Sequence, residues 1–301
     1  MLERIQNSTL RLVIPEDDYR IKKAVKTLKH KGIDILDIEN FRDHIEGYVC
    51  QLKSKPFTRQ WSDELFYKYL EEPINLAALS VAFGDADGLI IGAITPKEKI
   101  LRTVLRVIGL ENQNDFLCSS SFIYSEINNK VFTFSDCCIV QEPNPQQLQE
   151  IAFQSAKLHQ KLIGKESKVA FISFSNLGEI SHYRVDRVRE AVKGFGKRYP
   201  GFNYDGELQF DTAVSVEAAK RKAAGSPVAG HANVLVFPNL DAGDTALRMI
   251  ETFSEYSHIG TFLHGLRFPV NLLARNCSVD DITNSAYLTI MKEETFADVQ
   301  L

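Results

Sequence analysis

Short apolar runs bounded by turn residues alternate along this chain with longer segments whose apolar positions recur every three or four residues. The first pattern marks buried strands and the second amphipathic helices. Leu10 to Pro15 (LRLVIP) reads as a short buried strand, and Ile21, Ala24, Val25 and Leu28 then mark a helix that Gly32 ends. Between Ile33 and Phe66 the pattern is poor. Ile33 and Ile35 flank Asp34 with strand-like alternation, but Leu36 breaks the phase. Pro73 to Phe83 predicts a helix, Gly88 to Gly92 (GLIIG) a buried strand, and the residues after Thr95-Pro96 a helix with Leu101, Leu105 and Ile108 on its core side. Proline suits a first turn because its missing N–H would have no helical partner there.

The alternation continues. Phe122 to Tyr124 and Val131 to Phe134 predict paired strands joined through Asn128-Asn129, with Cys137 and Cys138 on opposite sides of a strand. Pro145 to Ile163 predicts a helix, Lys168 to Phe174 a strand, and His182 to Lys193 a basic helix. Asn233 to Phe237 predicts a further strand, followed by a loop with Gly243 and a helix whose core side is Ala246, Leu247, Ile250 and Phe253. This order points to an α/β protein with a mostly parallel sheet. Ser135, Asp136, Ser173 and Ser175 fall at strand ends, where open α/β folds bind ligands and where ordinary turn residues also collect.

One later stretch, His264 to Ile282, concentrates several features: a turn at Arg267 to Pro269, a buried half-turn from Val270 to Ala274, the cation Arg275, and a helix start. Ser278-x-x-Asp281 is a capping box ahead of the apolar positions Ile282, Ala286 and Ile290. The free N–H groups of that helix would point back towards Arg275, which is how an anion site is built. A cap that serves the helix alone fits the same residues.

Composition narrows the class. A chain of 301 residues, 44% hydrophobic and 25% charged, describes a soluble globular protein with two domains or one large one. A net charge of -4 argues against nucleic-acid binding, which needs a basic surplus. The basic run from Arg184 to Arg198 alternates with Val185, Val188 and Val192 as a solvated helix face would. Five cysteines without metal-ligand spacing fit a reducing compartment. MLERIQNSTL has no hydrophobic signal core and no apolar run reaches the ~18 residues of a membrane span, so a cytoplasmic protein with no membrane partner is expected. Asp205, Glu207 and Asp211 cluster, but without neighbouring His or Cys ligands no metal site is expected.

DGELQFD (Asp205 to Asp211), GSPVAGHANVLVFPNLDAG (Gly225 to Gly243) and GLRFPVNLLARNCSVDDI (Gly265 to Ile282), in that order and spacing, resemble the phosphate acetyl/butyryltransferase family. The resemblance extends through FISFSNLG (Phe171 to Gly178), FSD (Phe134 to Asp136) and GAITPKEKILR (Gly92 to Arg102) to LVIPEDD (Leu12 to Asp18), and is thin only between Ile33 and Phe66. It implies two three-layer α/β domains with a cleft between them, of isocitrate/isopropylmalate dehydrogenase-like architecture. Domain I would comprise residues 1–110 and 262–301, with domain II, 111–261, inserted. It further implies reversible acyl transfer between coenzyme A and phosphate by direct thiol attack on an acyl phosphate, with no tightly bound cofactor, in a homodimer.

By that resemblance Asp281 is the base for the thiol, and Arg275 and Arg102 are the cations for the anionic reacting groups. Ser173, Ser175, Asn176, Gly243, Asp244, His264 and Lys53 stand at substrate-binding positions. Several residues depart from the family pattern: Leu272 stands for an Asp, Ala274 for a Ser, Asn276 for a Gly, Asp244 for an Asn, Thr261 for a Pro, His264 for a Gln and Lys53 for an Arg. A lost hydroxyl donor to a transition state costs a factor of ~10² to 10³. Two readings follow: an acyltransferase, weak or specialised for another acyl group, or an impaired member that binds acyl-CoA or acyl phosphate as a sensor or structural subunit.

Overall fold

The computed structural model describes residues 8–111 and 116–297. The stretch Met1 to Asn7, part of the segment read above for a signal core, lies outside them. In chain order the elements are β1 (Arg11–Val13), α1 (Tyr19–His30), β2 (Asp34–Leu36), α2 (Ile45–Lys53), α3 (Asp63–Leu70), α4 (Pro73–Ala82), β3 (Gly88–Ile91), α5 (Lys97–Val107), β4 (Cys118–Ser125) and β5 (Lys130–Ser135). There follow α6 (Pro145–Ile163), β6 (Lys168–Ile172), α7 (Tyr183–Arg198), β7 (Asn203–Leu208), α8 (Phe210–Val214), α9 (Val216–Lys222), β8 (Val234–Val236), α10 (Leu240–Phe253), β9 (Ser257–His264), β10 (Val270–Leu272) and α11 (Val279–Ala297). The chain divides into two compact units, Met1–Phe116 with Gly265–Leu301, and Leu117–His264.

In the first unit the strands run β2-β1-β3-β10, all parallel. Leu89, Ile90 and Ile91 are fully buried, as expected of a parallel strand covered on both faces. On one side α1 and α11 pack together, and Ile21, Ala24, Leu28, Ile282, Ala286 and Ile290 join Leu12, Ile35 and Ile90 in one core. Each large side chain buried this way contributes about 1.5–3 kcal/mol relative to exposure. Val270 to Leu272, expected as a half-turn, is a strand that pairs with Leu89 to Ile91 of β3. Three residues carry too little periodicity to declare themselves; the neighbouring strand supplies the hydrogen bonds that define them.

The core side of α5 is corrected in part. Ile108, just past its end, is buried as expected, but so are Ile100, Val104 and Val107, while Leu105 is 41% exposed. Apolar residues at both phases leave the choice to packing, and α5 packs on α4, where Thr103 donates to Asn75 at 3.1 Å. The poorly patterned stretch holds β2, α2, α3 and short 3-10 turns at Ile38–His44 and Pro56–Thr58.

The second unit has strand order β9-β4-β5-β8-β6-β7. β4 is antiparallel to β5 and β9, and the rest is parallel. The β4–β5 hairpin turns at Asn129, which takes φ 47°, a left-handed conformation that asparagine tolerates well. Alternate residues of β6 reach opposite layers: Ala170 and Ile172 join a core with Ala213, Ala219 and Leu247, whereas the Phe171 ring meets Phe195 of α7 at 5.5 Å. A capping box between Asn144 and Gln147 starts α6, and Gly164 at φ 70° ends it. Phe253, expected in the core, is 82% exposed; as the last residue of α10 it lies past the packed turns. Cys137 and Cys138 lie beyond β5 in a bend whose N–H groups bond to Asp136, so they are not on a strand.

Candidate active site

Open α/β sheets bind ligands beyond the carboxyl ends of their strands, above all where successive connections diverge. In the first unit that point lies between β1, whose connection leads to β2 on one side, and β3 on the other. The chain fills it with its own anion. The Glu16 carboxylate accepts hydrogen bonds from the backbone N–H groups of Gly92 at 2.9 Å, Ala93 at 2.8 Å, Ile94 at 3.2 Å and Thr95 at 2.7 Å. Gly92 permits the fold of this loop: it sits at φ 128°, and a Cβ there would come 2.6 Å from the Leu273 carbonyl oxygen.

The next crevice lies between the parallel neighbours β3 and β10. The chain leaving β3 leads to α5, which carries Arg102, and the chain leaving β10 leads to the exposed turn at Arg275 and then to α11. Both guanidinium groups are exposed and neither makes a hydrogen bond or ion pair within the described residues. Asp281 lies in the first turn of α11. Its Oδ2 accepts from the Ser278 N–H and hydroxyl, each at 2.8 Å, and the Asp281 N–H donates to Ser278 Oγ at 3.1 Å. The capping box read from the sequence is thus formed, and Oδ1 keeps no donor among the described residues. Of the departures, Leu272 is buried on β10 and Ala274 packs against the core of this unit. Cys277 is buried, and burial pushes its thiol up to about 11, which keeps it protonated. Lys53 is exposed at the end of α2 and is paired with Asp63 at 2.7 Å.

In the second unit, the loop after β6 carries Ser173, Ser175 and Asn176. Ser175 and Asn176 are fully buried and committed within the protein: Ser175 donates to Glu207 at 2.8 Å, and Asn176 donates to Gln209 Oε1 and accepts from its N–H, each at 2.9 Å. Burial works to raise the Glu207 pKa, but Arg189 at 2.9 Å and the Gly178 N–H at 3.0 Å outweigh it and hold the carboxylate below its ordinary value. Ser173 is half-buried and lines a pocket of about 590 Å³ with Phe174, Arg184, Arg187, Asn239 and Met249. Arg187 is held there by Glu142 at 2.6 Å and by the Pro238 carbonyl at 2.9 Å.

Gly243 lies inside α10 rather than in a loop, because Asn239 caps the helix by accepting from Ala242 N at 3.0 Å. A Cβ at Gly243 would come 2.9 Å from the Asp136 carbonyl oxygen, so the position is one of close packing. Asp244 is paired with Arg248 at 3.4 Å, which offsets its charge. His264 ends β9, buried, with Nε2 2.8 Å from Ser120 Oγ. The three carboxylates of Asp205 to Asp211 are spread apart: Asp205 accepts from the Gly206 N–H, Glu207 binds Arg189, and Asp211 binds Lys222 at 2.8 Å.

Sequence reasoning missed Glu16, Glu207 and Asp136 as internal anions. Asp136 accepts from Ser119 Oγ and from the N–H groups of Cys138, Ile139 and Val140, while burial pushes its carboxyl up. The available signal was an acidic residue within a few positions of a buried strand, followed elsewhere by a glycine-bounded loop.

The first unit thus carries two exposed arginines and a helix-start carboxylate on the chain segments that follow two neighbouring parallel strands. Residues 3–290 match the family model described as phosphate acetyl/butaryl transferase, and the chain belongs to that family. The phosphate acetyltransferase of Thermoanaerobacterium thermosaccharolyticum is 32% identical, over 98% of this chain and 98% of its own length. That of Acetivibrio thermocellus is 31% identical over 98% and 97%. Among solved structures, a phosphotransacetylase from Streptococcus pyogenes matches with a TM-score of 0.84 at 29% identity, covering 96% of this chain and 95% of the other. EutD phosphotransacetylase from Staphylococcus aureus matches at 0.80 and 27%, covering 96% of each. The reaction class is acyl transfer between coenzyme A and phosphate.

Proposed function

We propose that this protein transfers an acetyl or short acyl group reversibly between coenzyme A and inorganic phosphate, with the thiol attacking the acyl phosphate directly. The observation that carries the reading is that Arg102, Arg275 and Asp281, whose Oδ1 has no donor among the described residues, all lie on the chain segments leaving the neighbouring strands β3 and β10. A thiol of pKa ~8.5 is mostly protonated at neutral pH, so its attack is helped by a base. Asp281 takes the thiol proton, sulfur bonds to the acyl carbon, and the carbon–oxygen bond to phosphate breaks with its electron pair leaving on phosphate. Arg275 and Arg102 hold the phosphate oxygens and offset the charge that develops.

On this reading Ser173 and the pocket beside it take part of coenzyme A. Ser175, Asn176, Gly243 and His264 act by fixing the walls, and Asp244 is tolerated because Arg248 pairs with it. Lys53 contributes by exchanging Asp63 for a coenzyme A phosphate. No cofactor or metal enters this scheme. The family resemblance also carries the homodimer, and a cytoplasmic setting belongs to the same reading.

The test is phosphate-dependent release of free coenzyme A by the purified protein from acetyl-, propionyl- and butyryl-CoA. Turnover with one or more of these is expected, and the preferred chain length defines the substrate. A protein inert towards all three, while still binding coenzyme A in calorimetry, would replace this reading with a binding role.

A further inference from the structure

Among the described residues the Arg275 side chain makes no hydrogen bond or ion pair, so its direction depends on the backbone of its turn. That backbone is held from a distant part of the chain. Arg20 Nη1 donates to the carbonyl oxygens of Arg275 at 2.8 Å and Cys277 at 2.9 Å. The rest of the guanidinium is held in turn: Nε and Nη2 donate to Asp18 Oδ1 at 2.9 Å and Oδ2 at 3.1 Å, and Nη2 also reaches the Ala93 carbonyl oxygen at 3.4 Å. Asp18 itself caps α1 by accepting from Arg20 N at 2.7 Å. Both side chains are only 15% exposed.

We infer that Arg20 is a positioning residue for the acyl-transfer reaction: anchored by Asp18, it locks the Arg275–Cys277 turn so that the Arg275 guanidinium is presented in one direction. This rests on the catalytic reading of Arg275 above. Glu16, four residues earlier, holds the Gly92–Thr95 loop that leads to α5 and Arg102. One short segment after β1 therefore secures both cation-bearing connections. The Asp18 carboxylate cancels the Arg20 charge, so the contribution is geometric and not an added positive field. Lysine cannot replace it, because two carbonyls and a bidentate carboxylate require the planar fork.

The experiment compares Arg20→Ala, Arg20→Lys, Arg275→Ala and the double variant Arg20→Ala/Arg275→Ala, each checked for a cooperative thermal transition. Arg20→Ala and Arg20→Lys are expected to lower kcat by about 10- to 100-fold, the cost of a misplaced group, with KM for acyl-CoA little changed. The double variant should be no slower than Arg275→Ala alone, since Arg20 acts through Arg275. Trypsin cleavage after Arg275, followed by mass spectrometry, should quicken severalfold in Arg20→Lys. Unchanged kcat in both Arg20 variants, equal losses from Arg20→Ala with and without Arg275, or unchanged cleavage after Arg275 would each overturn the inference. If Arg275→Ala keeps full kcat, the catalytic role of Arg275 has failed and this inference with it. If Arg275→Ala is slow while Arg20→Ala is not, only the positioning role has failed.

Discussion

Ser278 gives both its backbone N–H and its hydroxyl to one oxygen of Asp281, each at 2.8 Å, and the other oxygen has no donor among the described residues. On the proposed mechanism, helix capping and proton acceptance share one carboxylate without competing for the same atom. Asp281→Asn keeps an oxygen for Ser278 but cannot take a thiol proton. It is expected to lower kcat by about 10² to 10⁴, the usual worth of a general base, with the thermal midpoint nearly unchanged. Ser278→Ala should do the reverse, costing about 1 kcal/mol of stability with a smaller effect on kcat. Thermal melts alongside phosphate-dependent coenzyme A release separate the two.

The Arg102 and Arg275 side chains are exposed and make no hydrogen bond or ion pair within the described residues, so folding is expected not to depend on either side chain. Replacing either with alanine should change stability by no more than about 0.5 kcal/mol. Activity should fall by about 10² to 10³ for each, as expected when one fixed donor to a developing anion is lost. Arg275→Lys should recover only part of this, because a point charge does not reproduce bidentate binding of phosphate. Equal activity of Arg275→Ala and the native protein would remove Arg275 from the mechanism.

Gly243, expected among the substrate contacts, lies close against the Asp136 carbonyl. Gly243→Ala forces the start of α10 away from the bend after β5 and should cost about 1–3 kcal/mol, the range for overpacking. Urea melts measure the loss. The folded fraction should retain the native KM for acyl-CoA; a large rise in KM without loss of stability would restore direct contact.

His159 is buried on α6, with Nδ1 2.9 Å from Thr133 Oγ1 and Nε2 without a partner among the described residues. Burial lowers its pKa to about 4, so the folded protein holds it neutral. An unfolded histidine titrates near ~6.5, and between these values the unfolded chain binds the extra proton. Stability contributed by the neutral ring is therefore complete above about pH 6.5 and declines as pH falls towards 4, by roughly 3 kcal/mol in all. His159→Asn preserves a partner for Thr133 and removes the titration. Its urea midpoint should vary less between pH 7 and 5 than that of the native protein, and an equal slope would refute the assignment.

Local signals in the sequence determined much of this protein. The strand–helix alternation, the Asn128-Asn129 hairpin, the capping box at Ser278 and Asp281, and the buried face Ile282, Ala286 and Ile290 all follow from interactions a few residues apart. The order of its motifs also established the family. Tertiary structure decided what depends on distant partners. β10 became a strand only beside β3, α5 turned Ile100 and Val104 inward only against α4, and Ser175 and Asn176 were drawn away from solvent by Glu207 and Gln209. The Glu16 carboxylate is enclosed by the Gly92–Thr95 backbone, and the Arg20 guanidinium is met by the Arg275 turn, only in the folded chain. Propensity and capping are written in neighbouring residues, whereas an internal anion or a clamp is defined by backbone groups that only folding brings within hydrogen-bond distance.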